Sequence, residues 1–139
     1  MPRWVYDPHS GGVTIPPSVQ EQTKQRILAH AQAHYAGQYI RLDIRFKKQF
    51  CYIDAFTEPN LPPDYPPPDF HESREQFIEG LRNTPTHLCR LRYFGNEDSW
   101  SLAFYTYSNE KYQPCLFHNG TFVGTPEEAF DIGAVYLSG

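Results

Sequence analysis

Cysteine is scarce in this chain of 139 residues, and its spacing excludes more than its number does. Cys51, Cys89 and Cys115 make an odd count with no C-x-x-C pair. That gives neither a disulfide framework nor a zinc knuckle, and it fits a reducing compartment. No apolar run approaches the ~20 residues needed to span a bilayer, and MPRWVYDPHSGG at the start has no signal-like apolar core. The expectation is a cytoplasmic protein with no membrane partner. The glycine patterns G-x-G-x-x-G, G-x-S-x-G and the P-loop are all absent. No nucleotide, metal or other cofactor is therefore expected from a motif, and no nucleophile elbow is present.

Charge is also modest. The formal net charge is −4, which argues against broad, nonspecific duplex binding. It is unevenly placed: +3 over residues 1–57, −5 over 58–79 and −2 over 80–139. An acidic stretch thus follows a mildly basic one, a pattern that solubility alone explains.

What the chain has in quantity is rings. Ten Phe, ten Tyr and two Trp imply a core built from large side chains, and 13 Pro with 9 Gly imply much fixed loop. The length fits one domain over residues 1–139. The stretch Tyr39–Phe56, YIRLDIRFKKQFCYIDAF, organises the rest. Ile40, Leu42, Ile44 and Phe46 alternate with Arg41, Asp43 and Arg45, the period of a strand with one dry and one wet face. Beyond Lys47-Lys48-Gln49, the run Phe50 to Phe56 is rich in aromatic residues and predicts the return strand of an antiparallel hairpin.

The flanking elements follow from local signals. Pro16-Pro17, Ser18 as N-cap, and Val19, Thr23, Ile27, Ala31 and Tyr35 at intervals of four predict a helix over Ser18–Tyr35, closed by Gly37. Residues 58–70 form a Pro-rich insert with six prolines in thirteen positions, which excludes helix and central strand and favours extended polyproline-like chain. Ser73 with Gln76 is a capping box for a helix whose stripe is Phe77, Ile78 and Leu81. Thr86–Phe94 and Trp100–Tyr107 read as strands. In the first, Cys89, Leu91 and Tyr93 are taken as inward and Arg90 and Arg92 as outward. Tyr112–Phe117 and Thr121–Val123 flank Asn119-Gly120, a short hairpin signal. Thr125-Pro126-Glu127-Glu128 opens a last helix to about Tyr136. No internal repeat is present. The order predicts an α+β fold, an antiparallel meander sheet of five to six strands with helices packed on one face.

Candidate sites follow from this frame. The wet face of the sheet is expected to gather Arg41, Arg45, Tyr52, Arg90, Arg92, Tyr105 and Tyr107. Arg and Tyr together are what protein interfaces enrich, so an unidentified protein partner is the first expectation. The same chemistry, guanidinium for phosphate and ring for base, makes a single-stranded nucleic acid the alternative. The bland alternative is cross-strand pairing of Arg41 and Arg45 with Asp43 and Asp54. His30 and His34, in HAQAH, lie one helical turn apart and can share a metal, which would suit a metal-dependent hydrolase; the alternative is two surface or half-buried histidines beside the apolar stripe. A third ligand must then come from Asp7, His9, His87, His118 or a cysteine, because H-E-x-x-H is absent. Asp7-Pro8-His9-Ser10-Gly11-Gly12 reads as a turn with a glycine hinge. His87 and Cys89, two apart in a strand, would share a face, where an imidazole can lower a thiol pKa, but a buried thiol among rings is the expectation for Cys89.

The phrases YDPHSGG, IPPSVQE, FCYIDAFTEP, NTPTHLCRLRYFG, SLAFYTYSNEKY and GTPEEAFD, spread over nearly the whole chain, resemble a group of small, uncharacterised bacterial proteins of about this length. The resemblance implies a bacterial, cytoplasmic protein. It brings no activity, cofactor or catalytic residue with it.

Overall fold

The computed structural model describes residues 11–106, 111–115 and 123–138, with the side chains of residues 105, 106, 111, 113–115 and 138 outside the description. The elements run α1 (Pro17–His34), β1 (Arg41–Lys47), β2 (Phe50–Phe56), α2 (Arg74–Arg82), β3 (Thr86–Tyr93), β4 (Trp100–Thr106), β5 (Lys111–Cys115), β6 (Val123–Gly124) and α3 (Pro126–Gly133). A 3-10 turn over Ala134–Ser138 follows α3. All strand pairs are antiparallel, in the order β1-β2-β3-β4-β5, with β6 also on β4. The fold is the α+β meander that the alternation of elements predicts. β5 pairs with Leu102–Thr106 and β6 with Trp100 and Ser101, so both lie along β4. The expected Asn119-Gly120 turn lies outside the described residues.

α1 begins one residue earlier than expected. Pro17 takes the first helical position after Pro16, and no side chain caps the end, so Ser18 is not the N-cap. Proline tolerates that position because its missing N–H would have no helical partner there. The stripe Val19, Thr23, Ile27 and Ala31 is buried as its spacing requires. α3 carries the expected capping box of Thr125 and Glu128 but stops at Gly133. α1 packs on α3 and β1, and α3 packs on β3 and β4. The layer between holds Ile27, Ile53, Leu91, Trp100 and Phe130, all 2 % exposed or less.

β3 departs from simple alternation. Ile53 faces Cys89 and Asp54 faces His87, leaving Leu88 as an extra residue. This bulge turns Leu88 and Cys89 both into the helix-side core, where each is fully buried. It also places His87 on the opposite face. His87 and Cys89 therefore do not share a side, so the shared face expected for them is corrected, while the buried thiol expected for Cys89 is present. Gly133 of α3 meets the bulge so closely that an added Cβ would lie 2.8 Å from the Leu88 carbonyl oxygen. Helix and strand touch backbone to backbone there.

α2 behaves differently. Its Ser73–Gln76 capping box is present, yet none of its residues is buried. Phe77 of its stripe packs on the Pro-rich segment, 5.7 Å from the Tyr65 ring and 5.4 Å from the Phe70 ring. The Arg74 guanidinium donates to the carbonyls of Pro62, at 2.7 Å, and of Tyr65. Arg82 pairs with Glu58 at 2.5 Å, closing the unit. Among the described residues no helix is long and apolar enough to cross a membrane.

Candidate functional site

The sheet has one helix-covered face and one open face. Registers Asp43↔Asp54, Arg45↔Tyr52, Tyr52↔Arg90 and Arg90↔Ala103 bring the alternate residues of four strands onto the open side. At its centre sits Asp54, 3 % exposed. Its Oδ2 accepts from the Arg45 guanidinium at 2.7 Å, and its Oδ1 lies 2.8 Å from His87 Nδ1. A carboxylate so deep in a sheet is tolerated because both oxygens are engaged. Arg45 keeps 52 % of its side chain exposed and also reaches Asp43 at 3.2 Å. The cross-strand pairing that was the alternative for Arg45 is therefore present.

The other predicted residues divide sharply. Arg41 is exposed, with its guanidinium carbon 3.7 Å from the centre of the Phe56 ring. Tyr52 is half-buried, edge-on to Tyr112 at 5.7 Å. Arg90 and Arg92 lie on the expected face but are only 5 % and 3 % exposed, against the expectation of solvent-facing side chains. The reason is their strand. β3 is flanked on both sides, so neighbours close over it: Arg90 lies 4.1 Å from the Phe50 ring and 5.0 Å from Tyr112, while Arg92 reaches Ser101 Oγ and the Phe94 ring. Arginine stacks well in such a setting, its stem apolar and its planar head matched to rings. Burial, with the nearby Asp54 charge, pushes the Tyr112 hydroxyl pKa well up. Tyr105 pairs with Tyr112 through its backbone, but its side chain lies outside the described residues, as does all of Tyr107.

The Asp54–His87 pair is the feature that residue spacing missed. Strand alternation puts His87 with Cys89, and only the bulge at Leu88 brings it to Asp54. No local signal in Thr86–Tyr93 marks a bulge. A carboxylate on Nδ1 fixes the tautomer and ring plane of an imidazole, the arrangement used to orient bases and ligands.

His30 and His34 do come together, with ring centres 4.6 Å apart. However, His30 Nε2 is 2.7 Å from Asp131 Oδ1, and the Tyr35 hydroxyl donates to the same oxygen at 2.7 Å. Burial and then the hydrogen bond to Asp131 push Tyr35 up to about 12. His87 is on the far side of the sheet and Cys89 is in the core, so neither supplies a third ligand. Asp7, His9 and His118 lie outside the described residues. Among the described residues no three His, Cys, Asp or Glu side chains gather closely enough to hold a metal. The pair is instead part of the seam between α1 and α3, with His30 edge-on to Phe130 at 6.2 Å.

The glycine hinge is also replaced by a fixed contact. Gly12, at φ +92°, lies where an added Cβ would stand 2.7 Å from the Tyr93 carbonyl oxygen, and Val13 N–H donates to that same oxygen. Asp7 to Ser10 lie outside the described residues. Cys51 is a buried free thiol, and burial pushes its pKa well up, the opposite of an activated cysteine.

Comparison of the chain with protein-family models, with curated protein sequences and with solved structures finds no match.

Proposed function

We propose that the chain is a small cytoplasmic binding protein that holds a protein partner on the open face of its sheet. The observation that carries this reading is Arg45. Its side chain is more than half exposed, yet its guanidinium is tied at 2.7 Å to a carboxylate buried beneath it. A long side chain ordered in advance loses little rotamer freedom when a partner arrives. Arg41 beside it, laid on Phe56, and the half-buried Tyr52 are the residue types that anchor interfaces. Asp43 and Asp54 among these arginines put negative charge where a phosphate backbone would pass, which favours a protein over a single-stranded nucleic acid. The buried free thiols Cys51 and Cys89 suit a reducing compartment.

The test is quantitative co-purification from the host with wild-type bait and Arg45→Gln bait, after circular dichroism shows both folded. A protein recovered stoichiometrically with wild type and lost with the variant supports the reading. A bare monomer under mild conditions, or identical recovery by both baits, sinks it. Retention of a single-stranded oligonucleotide at low salt, fading as salt rises, would transfer the face to nucleic acid instead.

A further inference from the structure

β1 has β2 on one side and, among the described residues, no strand on the other. Its margin is unusually apolar for a free edge. Leu42, Ile44 and Phe46 are only half-buried on the helix side, and Ile40, just before the strand, is 48 % exposed. α1 runs beside this edge. Its C-terminal part and the two residues after it, Leu28 to Ala36, hold no Lys, Arg, Asp or Glu, and Ala29, Gln32 and Ala33 are exposed. An unpaired row of N–H and C=O groups beside half-covered apolar side chains is a template for one more strand.

The charges of β1 select which strand. If two copies pair β1 antiparallel about a twofold axis, residues directly opposite share a face, so the axis must pass through a residue. An axis at Arg41, Asp43 or Arg45 sets that charge against itself, which is unfavourable. An axis at Ile44 sets Arg41 against Lys47 and Asp43 against Arg45, but Asp43 and Arg45 are already paired within each chain at 3.2 Å, so it adds repulsion with little new attraction. An axis at Leu42 sets Arg41 against Asp43 twice and Leu42 against Leu42, with Lys47 and Lys48 beyond the overlap. The two charged residues have capacity for this. Arg41 has the Phe56 ring and no carboxylate among the described residues, and Asp43 spends only Oδ2, on Arg45.

The geometry points to a symmetric homodimer built by antiparallel pairing of β1 with β1 of a second copy, Leu42 on the axis and Arg41 facing Asp43 across it. The two sheets become one, with α1 and α3 of both copies on one side and both open faces on the other. The oligomeric state is read on the chain alone, so this inference stands or falls separately from the partner proposed above.

Sedimentation equilibrium over a concentration series reaching several hundred micromolar is the first test. The expected result is a species of twice the 16.2 kDa chain mass. Arg41→Asp and Asp43→Arg should each weaken dimerisation at least about tenfold, because two opposed pairs become repulsive. The double variant R41D/D43R should restore it. A second measurement does not depend on the charged variants folding: Leu42→Cys should cross-link to a dimer under mild oxidation, while Lys47→Cys should not. A wild type that stays at the single-chain mass throughout overturns the inference. So does a dimer indifferent to both single charge variants, or cross-linking at Lys47→Cys in place of Leu42→Cys.

Discussion

β1 and β3 carry the same design with opposite results. Each alternates apolar residues toward the helices with arginines toward the open face. On β1, the edge strand, Arg41 and Arg45 are exposed. On β3, with a strand on either side, Arg90 and Arg92 are buried beneath and between rings. The apolar halves differ in the same sense: Leu91 is fully buried, whereas Leu42 and Ile44 are half-covered. The pattern of a strand decides which face a side chain takes. The number of neighbouring strands decides whether that face sees water. An arginine in the middle of a sheet is thus a structural residue, and one at the edge remains available for contact.

The sharpest way to break this contrast is to truncate one arginine from each strand. Arg90→Ala removes a stem and a head packed between two rings, and it should destabilise the fold by about 2–4 kcal/mol in urea unfolding. Arg41→Ala should cost less than about 1 kcal/mol by the same measurement, since it forfeits one exposed ring contact. Equal losses would mean that edge and centre are not distinguished. Asp54→Ala bears on the junction between the two regions, because it strips partners from Arg45 on the edge strand and from His87 on β3. A loss of about 2–3 kcal/mol is expected, below that of a fully buried pair because Arg45 turns to solvent. Gly133→Ala probes the central strand from the helix side. Its Cβ would collide with the Leu88 carbonyl oxygen, and a loss of about 1–3 kcal/mol in thermal or urea unfolding is expected. The smallest effect belongs to the edge hairpin. Lys48 has φ 56° in the two-residue turn between β1 and β2. Lys48→Gly should stabilise by up to about 1 kcal/mol, because glycine takes that conformation without a Cβ penalty. A destabilised Lys48→Gly would show that the lysine side chain does more there than tolerate strain.

The strands, the buried stripe of α1 and two capping boxes were legible in the residues because each rests on local periodicity or on side-chain-to-backbone bonding within a turn. Three features were not. The bulge at Leu88 has no local mark, and it alone decides that His87 joins Asp54 and not Cys89. The burial of Arg90 and Arg92 depends on strand order, which alternation within one strand does not encode. The stripe Phe77, Ile78 and Leu81 marks a helix face needing cover, but nothing in it says that the cover is a run of prolines and rings and not the sheet. The candidate site was legible to the same extent as its strands. Its face was placed correctly for Arg41, Arg45 and Tyr52, while the buried carboxylate that organises it emerges only from the register.

The unit formed by α2 and the Pro-rich segment has a wider meaning for how this chain can change. Ala55 of β2 already lies opposite Thr86 of β3, so the two strands meet before and after the excursion between them. Topologically that excursion is an enlarged hairpin loop, tied within itself by Arg74, Arg82 and three rings. Its length and content are free to vary, or to be exchanged for a short turn, with the order of the sheet left as it is. Relatives that differ most between residues 57 and 85 would still share one scaffold.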